Sequence, residues 1–191
     1  MANLFDTLQN QMDRQNLVAR SAGARAWLQS KVMNMGSTAS LVRDGSRSDN
    51  TFQIGKMYFF AYDPLTKQSM PYYDRFPLVI PIEQYADGFL GMNLHYVPPT
   101  YRAKLLDKMM DTMSNKRFDE RTKFRINYEM LNASTRFAIF KPCVKRYLYK
   151  QMRSRFIRID ANEWDTAIFL PVSKFVGASE SRVWNDSIRK M

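Results

Sequence analysis

The chain has 191 residues, 45% of them hydrophobic, 14% aromatic and 25% charged, which suits one ordinary domain with extended arms and is too short for two large independent cores. No stretch approaches the roughly 18 apolar residues of a membrane-spanning helix, and the opening MANLFDTLQNQMDRQ lacks the charged-then-apolar layout of a signal peptide, so a cytosolic chain is expected. The net charge is +11, with Cys143 and His95 the sole residues of their kinds, which excludes an internal disulfide framework and a structural zinc site within one chain.

Residues 1–34 read as a helical N-terminal arm, with Leu4, Phe5, Leu8 and Met12 in one apolar stripe and Leu17, Val18, Trp27, Leu28 and Val32 in a second. Such stripes serve equally to pack on the chain's own core or to dock on a partner; the docking candidates are Leu4, Phe5, Leu8, Met12 and Trp27. Residues 35–51 are Ser-, Gly-, Asp- and Arg-rich and offer almost nothing to bury, the composition of a flexible linker. An α+β core is expected over 52–175. It begins with three short strand-prone runs, at 57–62, 76–82 and 89–97, separated by turns at Asp63-Pro64 and Asp87-Gly88. Gly91 inside the third run marks a bulge or a close backbone approach. Three short strands of this kind predict a small, bent, SH3-like β-barrel decorated with helices.

After Pro98-Pro99, Leu105, Leu106, Met109, Met110 and Met113 share one helical face, predicting a helix over 101–113. A second helix is expected near 127–133. A third, over 143–153, would turn Val144, Tyr147, Leu148, Gln151 and Met152 inward and Arg146, Lys150 and Arg153 outward. A closing strand follows over 154–159. Asp160 with Glu163 forms a capping box ahead of a short helix, and 176–191 is a mostly polar C-terminal tail.

Charge is unevenly spread. Residues 101–158 carry 16 Lys/Arg against 5 Asp/Glu, a net +11, whereas the other segments nearly balance. Clustered cations hold polyanions through Coulomb attraction and counterion release. Lys145, Arg146, Lys150, Arg153, Arg155 and Arg158 are therefore the candidate binders of nucleic acid or of an acidic protein partner, with Tyr149 available to stack on a base. No helix-turn-helix reader is present, so binding should ignore base sequence.

Enzymatic readings are weaker. His95, between Leu94 and Tyr96, is expected to be a packed, hydrogen-bonded histidine rather than an acid–base group, and Cys143 a buried helix-start cysteine. Asp63, Asp74, Glu83 and Asp87 lie in the strand block and would have to gather metal ions for phosphodiester cleavage; Asp63 and Asp87 sit in turns that need no catalytic explanation. Neither GxxxxGK[ST] nor GxGxxG occurs, so no nucleotide cofactor is expected. No metal, cofactor or small-molecule substrate is predicted.

The strings IGKMYFFAYDP (54–64), MPYYDRFPLVIPI (70–82), GFLGMNLHYVPPTYRAKLLDKM (88–109), FKPCVKRYLYKQMRSRF (140–156) and EWDTAIFLP (163–171) resemble a family of small virion proteins of T-even-like tailed phages, over about 54–187. The resemblance to the DNA-end protector group implies a non-enzymatic protein that shields virion DNA ends from exonuclease during head or neck completion. It would be made in the host cytoplasm and carried in the virion among other virion proteins, with DNA as a candidate partner. A structural baseplate or tail component fits the same strings, and a metal-dependent nuclease is the third alternative.

Overall fold

The computed structural model describes residues 4–32, 47–113, 115–134, 138, 140–170 and 172–190. In chain order these form α1 (Leu4–Arg14), α2 (Ala22–Val32), β1 (Ser48–Asp49), β2 (Met57–Phe59), β3 (Tyr73–Asp74), β4 (Leu78–Tyr85) and β5 (Gly88–Asn93). There follow α3 (Pro99–Met113), α4 (Glu120–Ser134), β6 (Val144–Leu148), β7 (Phe156–Ile159), α5 (Trp164–Ala167), β8 (Phe175–Val176) and α6 (Glu180–Arg189).

Six strands make one antiparallel sheet in the order β1-β7-β2-β4-β5-β6, and β3 with β8 makes a separate two-stranded ribbon. The α+β class agrees with the sequence, but the SH3-like barrel does not. Closing a barrel requires the outer strands to pair with each other; here β1 pairs with β7 and β6 pairs with β5, which leaves an open sheet.

Strand alternation sorts the side chains onto two faces. Met57, Phe59, Leu78, Ile80, Met92, Ile157 and Ile159 point to the main core, while Tyr58, Phe60, Val79, Phe89, Tyr147 and Phe156 build a second, aromatic cluster on the other face. A register shift between Pro81 and Glu83 sets the outer half of β4 against β5 out of phase with its inner half. The bulge is thus carried by the partner strand, and what crowds Gly91 is a side chain rather than backbone: a Cβ there would meet Val79 Cγ1 at 2.4 Å, while the Ile80 carbonyl oxygen stands at 3.5 Å.

Helices cover the main core. Phe5, Leu8 and Met12 of α1 and Leu28 of α2 are buried in it, with Leu4 and Trp27 packed alongside. All five docking candidates, Leu4, Phe5, Leu8, Met12 and Trp27, thus pack on the chain's own core; full burial of a side chain of this size stabilises by about 1.5–3 kcal/mol. An ion cluster holds the helix pair in place. Arg25 grips Asp107 through Nη2 at 2.6 Å and Nη1 at 3.0 Å and also reaches Asp165 at 2.9 Å. Arg20, in left-handed backbone at φ 65°, reaches Asp107 and Asp111.

Most of the predicted linker lies outside the described residues, but its end does not behave as a linker. Ser48 and Asp49 pair with Ile157 and Phe156, and Arg47 is buried against Glu163 with contacts of 2.5 and 2.7 Å. Glu163 is the acidic member of the predicted capping box, and its carboxylate also accepts from the Asp160 N–H at 3.0 Å. Removing one partner of such a buried pair costs about 3–5 kcal/mol. The predicted tail is likewise part of the fold: Ser179 caps α6, Val183 is fully buried, and Trp184 Nε1 donates to the His95 carbonyl at 2.9 Å.

Candidate nucleic-acid interface

The segment expected to be a helix over 143–153 is a short 3₁₀ turn at Lys141–Cys143, strand β6, and a second 3₁₀ turn at Tyr149–Gln151. Its residues find hydrogen-bond partners along β5, with Leu90 opposite Arg146 and Gly91 opposite Lys145. Those partners are distant in sequence, and they override the local helical spacing.

This change redistributes the six predicted cations. Neighbouring residues of a strand point to opposite faces, so Lys145 and Arg146 separate. Lys145 lies 4.1 Å from the centre of the Tyr96 ring, and burial lowers the pKa of its ammonium group. Arg146 sits 4.0 Å over Tyr85 and pairs with Asp87. Arg158 is engaged by Asp160 at 3.1 Å and Asp49 at 3.2 Å, contacts that raise its pKa further. Lys150 and Arg155 are exposed and form no ion pair among the described residues. Arg153 reaches Asp63 only at 3.6 Å, while Lys67 binds that carboxylate at 2.9 Å.

Lys150, Arg153 and Arg155 thus belong to one connection, between β6 and β7. It is stitched to the end of β2: Arg153 N–H donates to the Ala61 carbonyl at 2.8 Å, Asp63 N–H to the Gln151 carbonyl at 3.0 Å, and Ala61 N–H to Ser154 Oγ at 2.8 Å. Beside it opens a cleft of about 930 Å³ lined by the cations Arg153 and Arg155, the polar residues Asn50, Thr51, Gln84 and Ser154, and the apolar or aromatic residues Phe52, Tyr149, Met152 and Phe156. Tyr149, singled out in the sequence as available for stacking, lines this cleft. Phe52, Asn50, Thr51 and Gln84 were not singled out, and the only signal was a lone aromatic residue at the end of a polar run.

The residues considered for catalysis have structural duties. Asp74 accepts from the backbone N–H groups of Phe76 (3.0 Å) and Lys174 (3.1 Å), from Asn93 Nδ2 (3.2 Å) and from His95 Nδ1 (2.7 Å), joining β3, β5 and β8. Burial alone would raise the Asp74 pKa; His95 and the backbone donors outweigh it and hold the carboxyl below its usual range. Burial lowers the His95 pKa, which favours the neutral ring donating from Nδ1. Cys143 is fully buried, and its thiol is pushed up to about 12 by that burial. Glu83 accepts from the Tyr85 hydroxyl at 2.7 Å, so the four carboxylates considered for metal binding have separate partners. Among the described residues no group of three or more His, Cys, Asp or Glu is gathered to hold a metal ion, and no helix is long and apolar enough to cross a membrane.

Comparison with known proteins finds no match among the curated proteins or the solved structures. The phage T4 terminal DNA protecting protein family, in contrast, matches residues 6–187, a span that takes in most of α1, both sheets, the β6–β7 connection and most of α6. This chain belongs to the phage T4 terminal DNA protecting protein family.

Proposed function

We propose that this chain is a non-enzymatic virion protein that binds the ends of phage DNA without reading base sequence. In this reading it is made in the host cytoplasm and joins other virion proteins during head or neck completion. The observation that carries the reading is the β6–β7 connection, which carries exposed Lys150, Arg153 and Arg155 and borders, through Arg153 and Arg155, a cleft with no acidic residue among its described lining residues, in a family described as protecting terminal DNA. Phosphate contacts made by such cations position a protein on DNA and carry no sequence information. The separate partners of Asp63, Asp74, Glu83 and Asp87 give a metal-dependent nuclease no support.

The test is the salt dependence of DNA binding. Each phosphate neutralised on duplex DNA contributes about 0.9 to the slope of log K against log salt. Changing Lys150, Arg153 and Arg155 together to Glu should therefore lower that slope by about 2.7 if each meets one phosphate, and reduce affinity equally on unrelated sequences. An unchanged slope in a normally folded variant places the DNA elsewhere. A wild-type protein that binds no DNA, paired with a variant that fails to enter particles, makes the connection a contact for an acidic virion protein instead.

A further inference from the structure

We propose that the cleft beside the β6–β7 connection receives a single unpaired nucleotide at the DNA terminus, its base against Phe52 and Tyr149 and its phosphates against Arg153 and Arg155. The proposal rests on the DNA-binding reading above and adds the part of the DNA that is recognised. Four features of the cleft support it.

Its size comes first. At about 930 Å³ it lies near the top of the roughly 300–1,000 Å³ range of sites that enclose small ligands, which suits one nucleotide and not a duplex. Its chemistry is divided in the way a nucleotide is divided. Aromatic faces suit any base, since every base has a π-face, while the amide and hydroxyl groups of Asn50, Thr51 and Gln84 suit base edges or sugar hydroxyls.

The charge is one-sided. Two guanidinium groups border the cleft and none of its described lining residues is acidic, whereas the neighbouring acidic residues have partners: Asp49 and Asp160 in Arg158, Glu83 in the Tyr85 hydroxyl, and Asp63 in Lys67 at 2.9 Å with a longer 3.6 Å contact to Arg153. Finally, the floor is fixed before anything binds. Phe52 packs 4.7 Å from Phe89 and 5.3 Å from Phe156, centre to centre, and the Gln53 N–H donates to the Tyr58 hydroxyl at 3.0 Å. A rigid floor loses little freedom on binding.

These features favour an end over an interior position. Extruding a base from within a duplex requires unpairing and unstacking, and the requirement is smallest for a base already single-stranded. A terminal nucleotide in the cleft is also withdrawn from an exonuclease, which must reach that same residue.

The experiment uses the full-length protein, a linear duplex carrying a one-nucleotide overhang, and a covalently closed circle of the same sequence. A fluorescent base analogue, 2-aminopurine, is placed at the overhang or at an interior position. The expected result is that the linear DNA competes about tenfold better per molecule than the circle, within the range that base–aromatic stacking supplies. Fluorescence should be quenched only at the overhang. Tyr149→Ala should erase the preference for the linear DNA, and Arg155→Ala, at an exposed position, should weaken binding of both DNAs without unfolding the protein. Equal competition by linear and circular DNA overturns the end cleft and leaves DNA binding standing. Quenching at the interior position also overturns it, and failure of the wild-type protein to bind either DNA overturns the DNA-binding reading as well.

Discussion

Replacing Gly88 by Ala is expected to separate β6 from the sheet, and the size of the effect follows from geometry. A Cβ on Gly88 would stand 1.9 Å from the Tyr147 carbonyl oxygen, 2.9 Å from its carbon and 3.0 Å from the Leu148 Cα, against the 3.4 Å at which ordinary contact begins. All three atoms are backbone, so no rotamer change relieves the clash, and β6 must retreat by roughly 1.5 Å to restore ordinary contact. That retreat breaks the pairing at Gly88↔Leu148 and Phe89↔Tyr147, about two hydrogen bonds at a net ~1 kcal/mol each. It also loosens Tyr147 from Phe60, Tyr62 and Phe89, whose ring centres lie 5.1, 4.9 and 5.2 Å away, contacts of about 0.5–1.5 kcal/mol each. With partial retention of the ring contacts, a loss of about 3 kcal/mol is expected, or roughly 6–12 °C in melting temperature for a chain of this size. Thermal melts measure the loss, and amide exchange at Leu148 and Tyr149 localises it. Gly23→Ala is the internal control: in α2 the nearest atom to a new Cβ is Ser21 Oγ at 3.9 Å, so that change should stabilise by about 0.5–1 kcal/mol. A Gly88→Ala protein within 0.5 kcal/mol of wild type would refute the reasoning.

The Asp107 cluster should make the N-terminal helices acid-sensitive. Hydrogen bonds from Arg25, partly opposed by burial and aided by Arg20, hold the Asp107 carboxyl below its usual range, so the stabilisation is complete above the unfolded value near 3.9 and is lost as pH falls through the lower folded value. Because the side chain is 35% exposed, solvent screening limits the effect to about 1 kcal/mol or less; urea titrations at pH 7 and pH 3 should show a smaller pH dependence for Asp107→Asn than for wild type. Cys143, with its thiol pushed up to about 12, should resist a thiol reagent at pH 8 in the native protein and react promptly in urea. Rapid labelling of the native state would contradict its burial.

Local patterns were legible where the partners of a residue lie nearby in sequence. The stripe Leu105, Leu106, Met109 marked α3, the strand-prone aromatics of MYFFAY marked β2, and Asp160 with Glu163 marked the capping box. Long-range partners hid the rest. Val144, Tyr147, Leu148 and Met152 satisfy helical spacing, yet Tyr147 is drawn into the aromatic cluster opposite Phe89, and the backbone follows β5. Arg47 reads as one more polar linker residue until Glu163, 116 positions later, comes beside it. The tail has too few apolar residues to announce a packed helix; α6 is recruited by Val183 and by the Trp184 bond to the His95 carbonyl. The candidate site was legible in its charge and obscure in its geometry. Basic residues could be counted, but the face each occupies depended on whether β6 was a helix or a strand.

The strand order β1-β7-β2 bears on when the protein can fold during its synthesis. β7 lies between two strands made long before it, and Asp49 waits for Arg158, 109 positions later. At about 5–20 residues per second, that interval is roughly 5–20 s on the ribosome. Throughout it, β2 has an open edge where β7 will sit, and Tyr58 and Phe60 lack Phe156 to cover them. Such exposed edges invite pairing between nascent chains. The sheet is therefore completed only once β7 has been made, and a chain released before residue 156 cannot complete it.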